Sequence, residues 1–75
     1  MNRDDVHFLR DLGFRIRERR SALGLTQAEL AVRCALHRTF IGSVERGERN
    51  VSVLNLRAIA RALRLALPEL FGESR

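Results

Sequence analysis

"LTQAELAVRCALHRTFIGSVERG", Leu25 to Gly47, is the stretch on which the fold turns. It opens with a strong local start signal. Thr26 can accept from the backbone N–H of Glu29 while the Glu29 carboxylate reaches back to Thr26, and Leu25 can pack on Leu30, a capping box with a hydrophobic staple. The spacing predicts a helix to about Cys34 that buries Leu30 and Ala31, followed by a turn at Ala35 and Leu36. A second helix is predicted from about Arg38 to Arg46, with Ile41 and Val44 as its buried side and Gly47 as its stop. Its outward positions carry Arg38, Thr39, Phe40, Ser43 and Arg46, and Arg49 and Asn50 follow just beyond. A short helix with an outer face so rich in hydrogen-bond donors requires a ligand rich in acceptors.

Working outward, helical spacing recurs and no strand-like alternation interrupts it, so five helices are expected. The first lies between Asp4 and Leu23, with Val6, Leu9, Leu12, Ile16 and Leu23 on one side and Gly24 as its end. Asp4 and Asp5 suit the positive N-terminal end of that helix. Gly13 in its middle leaves two starts open, one near Asp4 and one near Leu12. After Asn50, Ser52 can cap a fourth helix stapled by Val51 and Leu56, whose stripe is Val53, Leu56, Ile59, Ala60 and Leu63. The fifth, "LPELF", places Pro68 at a first helical position, where its missing N–H costs nothing, and Gly72 to Arg75 should fray.

Seventy-five residues at 45% apolar content describe one small folded domain with a marginal core. All 14 basic residues are arginine, and the formal charge is +5. Arginine's planar fork matches phosphate oxygens and the edge of guanine, so a polyanionic partner is expected; base composition of the genome accounts equally well for the missing lysine. One cysteine forms no internal disulfide, and acids interrupt the start of the chain where a secretion signal needs an apolar run. A cytoplasmic location and no membrane partner follow as expectations.

Two short helices joined by a turn inside a bundle form the helix-turn-helix arrangement, in which the second helix lies in the major groove of double-stranded DNA. Arg38 can then make a bidentate contact to guanine, Thr39 offers a hydroxyl and a methyl, and Ser43 lies one turn further along. Gly42 gives backbone clearance there. Gln27 suits a phosphate at the start of its helix, and Arg46, Arg49 and Asn50 can clamp the backbone beyond the recognition helix. Glu45 would be repelled by DNA, so it is expected to turn inward and pair with Arg20. Each residue has a plainer reading: the arginines as solvated charges, Phe40 as core, Gln27 as a good first-turn residue, Glu45 as an exposed acid.

"LTQAELA", "HRTFIGSVERGERN" and "VLNLRAIARAL" at these distances resemble the lambda-repressor-like, Xre-type regulators over Ile16 to Phe71. Arg38 to Ile41 and Glu45 to Asn50 are most similar to the controller proteins of restriction–modification systems. The resemblance implies an all-α, compact five-helix domain over residues 1–75. Its helix-turn-helix would lie at about 26–46 and its dimerisation element at about 64–71. It implies a homodimer on paired operator half-sites, autoregulation, and, for a controller, two dimers on one promoter region. RNA polymerase stays open as a further partner. By position, Arg38, Thr39 and Ser43 match base-facing residues, Gln27 the phosphate-binding glutamine, and Arg20–Glu45 the buried ion pair; for Phe40 a thymine methyl, a sugar or the core remain alternatives. Several positions depart from the pattern. Ala35 stands where glycine is usual in the turn, His37 replaces a Ser or Asp cap, Arg64 and Ala66 replace glycine and serine, and Leu54 is apolar where an acid is common. Leu54 and the "LALPELF" residues Leu67, Leu70 and Phe71 are therefore the candidate dimer surface.

No enzyme is expected, and no cofactor or metal. His7, His37 and Cys34 have no familiar ligand spacing, and Cys34 reads as a small buried hydrophobe. Two other readings stay open. One is an Xre-type repressor of prophage or antitoxin type. The other is a basic helical adaptor that binds a protein or an anionic membrane through Arg15, Arg17, Arg19 and Arg20.

Overall fold

The computed structural model describes residues 1–72, in which there are five helices and no strand. They are α1 (Arg3–Ala22), α2 (Gln27–Cys34), α3 (Arg38–Glu45), α4 (Val53–Ala62) and α5 (Leu67–Leu70). Of the tail expected to fray, residues 73–75 lie outside the described ones.

The starts follow from side-chain caps. Asn2 accepts from the N–H of Asp5 at 2.8 Å, and Ser52 accepts from that of Asn55 at 3.1 Å. Both arms of the capping box on α2 form: Glu29 N–H to Thr26 Oγ1 at 3.0 Å, and Thr26 N–H to Glu29 Oε1 at 2.8 Å. The ends α2 and α4 share a different device. After α2, Ala35 adopts φ 57° and lets the N–H of Leu36 reach the carbonyl of Ala31 at 2.9 Å. After α4, Arg64 adopts φ 59° and the N–H of Leu65 reaches Ala60 at 2.9 Å. Both positions need a left-handed residue, and neither is glycine. Arg19 also donates from Nε to the carbonyl of Leu63 at 2.9 Å, closing the open end of α4.

Helix α1 runs unbroken through Gly13, and its start is the earlier of the two that the sequence left open. A Cβ on Gly13 would stand 2.4 Å from the carbonyl oxygen of Val44 and 2.6 Å from that of Glu45. The glycine is therefore the point at which α1 crosses the end of α3, and its cost in helix propensity is offset by that approach.

The core is one cluster drawn from all five helices, including Leu12, Ile16, Leu30, Ile41, Val44, Leu56, Ile59, Leu63 and Leu70. Cys34 belongs to it, and burial pushes its thiol pKa up. Three expectations are corrected. Val53, in the first turn of α4, is 68% exposed, while Val51 just before it packs against the core. Leu70, expected on the dimer surface, is fully buried: a helix of four residues has one inward side, and Leu70 occupies it. Pro68 is the second residue of α5 and not the first. Phe71 is half-buried and stacks on Phe8 of α1, with ring centroids 5.7 Å apart. Among the described residues no helix is long and apolar enough to cross a membrane.

A candidate nucleic-acid interface

The N-terminal end of α2 and the outer face of α3 enclose a shallow groove of about 320 Å³ lined by Gln27, Arg38, Thr39, Gly42 and Arg46. The turn at Ala35 sets the two helices at this angle, and Ile41 and Val44, both buried, hold α3 down. Gly42 forms the floor. A Cβ there would lie 3.2 Å from Arg46 Nη1 and 3.4 Å from Gln27 Oε1, so bare backbone is what lets these two polar heads converge. The sequence had assigned Gly42 only to clearance.

Beneath the groove lies a charged anchor. Glu45 accepts from Arg20 Nε at 2.6 Å and Nη2 at 3.0 Å, and from Gln27 Nε2 at 2.9 Å. Arg20 also donates from Nη1 to the carbonyl of Leu25 at 2.7 Å. The Glu45 side chain is 3% exposed and that of Arg20 13%, so the pair is desolvated and its bidentate geometry matters. These bonds hold the Arg20 proton more tightly than usual, against the opposing effect of burial. The acid of the recognition helix is thereby spent inward. The structure adds a link that the sequence did not suggest: Gln27 is tied to the same carboxylate, which fixes its amide at the groove.

Arg38 and Thr39 occupy the first turn of α3 and are exposed. Among the described residues Arg38 has no salt-bridge partner. His37 Nδ1 accepts from the N–H of Thr39 at 3.3 Å and meets its Oγ1 at 2.8 Å, so the weak cap is formed. Arg46 pairs with Glu48 at 3.1 Å, but both side chains are more than half exposed and such a pair yields readily to a stronger anion.

Ser43 requires a correction. It is only 9% exposed, its hydroxyl donates to the carbonyl of Phe40 at 2.7 Å, and it accepts from Arg49 Nε at 3.2 Å. It is not the outward reader that its helical position suggested. Phe40 is half-buried against the core, with the Arg49 guanidinium 5.4 Å from its ring centroid. Arg49 thus lies back over α3 and not beyond its end. Asn50 is not part of the α2–α3 groove. It borders a separate groove of about 260 Å³ with Phe8, Leu9 and Val51.

Elsewhere on the surface, Leu54 is 73% exposed beside Arg57, Ala58 and Arg61, two arginines for which the sequence suggested no role. Leu67 and Phe71 are half-buried. Of the arginines in the adaptor reading, Arg19 and Arg20 are occupied within the chain. Among the described residues no group of three or more His, Cys, Asp or Glu side chains is placed to hold a metal ion.

A family model described as helix-turn-helix matches residues 16–70. The chain is similar to control protein C.SmaI of Serratia marcescens, at 47% identity over 55 residues, which is 73% of this chain and 66% of that protein. Control protein C.MunI of a Mycoplasma species is 40% identical over 55 residues, 73% of this chain and 74% of its own length. The crystal structure of the restriction–modification controller protein C.AhdI from Aeromonas hydrophila superposes with a TM-score of 0.82. It is 48% identical, and the match covers 84% of this chain and 96% of that one.

Proposed function

We propose, for a chain that belongs to the helix-turn-helix family, that the α2–α3 face reads double-stranded DNA and that the protein is a transcription regulator acting as a controller in a restriction–modification system. The observation that carries this is the groove itself. Arg38, Thr39, Gln27 and Arg46 converge on it, over a carboxylate neutralised by Arg20. A polyanion meets donors there and no exposed acid on the floor.

The residues divide by reach. Arg38, at the first position of α3 and without an intrachain salt bridge among the described residues, offers its fork to the paired acceptors of a guanine. Thr39 brings its methyl against a thymine or its oxygen to an adenine. Gln27 and Arg46 hold phosphates across the groove, with the α2 N-terminus adding its partial positive charge. Arg20 and Glu45 contact no DNA in this scheme; they set the height and angle of α3. The acting species is a homodimer on paired half-sites, with Leu54 and the half-buried Leu67 and Phe71 as its surface; Leu70 leaves that set because the core has it. Autoregulation, with two dimers on one promoter region, is the remaining part of the proposal; the similarity to control proteins supports the regulatory role.

The test is fluorescence anisotropy against duplexes tiling the DNA upstream of the gene, at two salt concentrations. One tile bound far above the others, with two related half-sites about one helical turn apart, is the expected result. Arg38→Ala should cost about 1–3 kcal/mol on that tile and relax preference at one base pair of each half-site. Uniform binding to every tile, unchanged by Arg38→Ala, would refute sequence reading by α3.

A further inference from the structure

Resting on the DNA-binding reading above, we propose that His37 is a positioning residue that sets how Thr39 meets a base. It accepts the Thr39 hydroxyl hydrogen bond, so that Thr39 is left to accept from an exocyclic amino group. The direction of one hydrogen bond carries this. His37 Nδ1 lies 3.3 Å from the backbone nitrogen of Thr39 and 2.8 Å from its Oγ1. A backbone N–H donates whatever the ring does, so Nδ1 bears a lone pair and the neutral ring keeps its proton on Nε2. An Nδ1–H would instead set its hydrogen against that of the amide. With Nδ1 the acceptor, the shorter contact has one sense: the Thr39 hydroxyl donates to the ring. A threonine hydroxyl has one proton and two lone pairs. The cap occupies the proton, and lone pairs are what remain for a ligand.

Thr39 is exposed in the first turn of α3 and lines the groove with Arg38 and Gln27. Two base edges donate in the major groove, N6 of adenine and N4 of cytosine, whereas thymine O4 and guanine O6 and N7 accept. An oxygen with no proton to give is attracted to the first pair and repelled by the second. A free hydroxyl turns to suit either. The cap therefore converts an adaptable side chain into a selective one, by penalising the wrong edge as well as binding the right one. His37 and Thr39 are the cap and the second position of one helix, so the helix itself holds them in contact. An aspartate at the cap would offer a similar acceptor with no tautomer to choose.

The experiment uses the full chain and the variants His37→Gly, His37→Asp and Thr39→Val. Glycine removes the acceptor yet is tolerated as a cap, aspartate restores an acceptor, and valine removes the hydroxyl while keeping the shape. In the free protein above neutral pH, long-range proton–nitrogen spectra of the His37 ring should show Nε2 protonated and Nδ1 bare. That measurement needs no DNA. Anisotropy is then read on the preferred tile and on duplexes with each half-site base pair replaced in turn. The position at which the parent and Thr39→Val differ locates the base that Thr39 meets. There the parent should prefer adenine or cytosine by about fivefold or more. Replacing adenine by purine, or cytosine by pyrimidin-2-one, deletes the amino group alone. Whichever base is present, that deletion should cost the parent a similar factor and Thr39→Val nothing. His37→Asp should keep the preference, and His37→Gly should lose most of it.

A ring proton on Nδ1 in the free protein would reverse the hydrogen bond and overturn the proposal. A preference for thymine or guanine at the Thr39 position would overturn it too, since Thr39 would then read through its methyl or by donating. So would identical selectivity in the parent and Thr39→Val. An undiminished preference in His37→Gly would leave Thr39 a reader and remove His37 from its control. If the parent bound no duplex, the DNA reading would fall and the base preference with it, while the ring spectra would still decide the direction of the hydrogen bond.

Discussion

Replacing Ala35 by glycine should stabilise this protein, although glycine in place of alanine usually does the reverse. Ala35 sits at φ 57° and ψ 39°, where the Cβ of an L-residue crowds the following carbonyl. That conformation costs a non-glycine residue roughly 1–2 kcal/mol. The turn cannot relax to avoid it, because the Leu36 N–H bond to the Ala31 carbonyl at 2.9 Å closes only through a left-handed residue. Glycine removes the strain but adds freedom to the unfolded chain, worth about 0.4–1 kcal/mol in the other direction. The net gain is about 0.5–1 kcal/mol, a rise in Tm of roughly 2–8 °C for a domain of this size. Arg64 at φ 59° repeats the geometry, so Arg64→Gly should gain a similar amount. The two sites share no hydrogen-bond partner, and their effects should add. Ala58→Gly is the internal control. It lies in the interior of α4, where glycine should cost about 1 kcal/mol. Thermal and urea unfolding followed by far-UV circular dichroism reads all three. If Ala35→Gly lowered Tm as Ala58→Gly does, the left-handed strain at the turn would not exist in solution and the reasoning would fail.

Glu45→Ala should cost about 3–5 kcal/mol in urea unfolding, nearer the lower figure because Arg20 keeps some water contact, and Glu45→Gln should cost less. Leu54→Glu should weaken self-association in sedimentation velocity and leave the Tm of the dilute protein almost unchanged, since the side chain is 73% exposed; an unchanged dimer would remove Leu54 from the interface. The Glu29 carboxylate is held below its ordinary pKa, first by the Thr26 N–H and then by the Thr26 side chain. A depressed acid stabilises at pH above its unfolded value and loses that contribution as pH falls through its folded one. The stability curve on the acid side of the carboxylate range should therefore flatten in Glu29→Ala, and an identical curve in parent and variant would refute the cap's role.

The parts of the fold that could be read from sequence are those written within three or four residues. The Thr26–Glu29 box, the Ser52 cap and the glycines after α1 and α3 join side chains or backbone groups that are neighbours on the chain, so residue types alone specify them. Gly13 shows the opposite case. Its propensity argues for a break, yet α1 continues because the carbonyls of Val44 and Glu45 occupy the space of a side chain, and that reason lies on another helix. Leu70 and Val53 failed for related causes. Periodicity says which residues share a side but not how far the neighbouring core extends along it. Val53 is exposed although Val51 before it and Leu56 after it pack on the core, and Leu70 is fully buried while Leu67 and Phe71 are half-buried.

The same limit runs through the site. Glu45 could be read as inward because an acid beside a polyanion has to be neutralised, a constraint of charge that needs no coordinates. The convergence of Gln27 on that carboxylate, and of Gln27 and Arg46 over Gly42, joins residues on two helices and left no signal at fixed spacing. Ser43 is the sharpest instance. Counting one turn from Thr39 places it correctly on the outer half of α3, and the inference that it is therefore available does not follow. A long side chain from the next loop can lie over a short one, and Arg49 lies over Ser43. Exposure on a recognition helix is decided by reach as well as by register, so a serine near an aromatic residue and upstream of a loop arginine is as well suited to hold that arginine as to face the ligand.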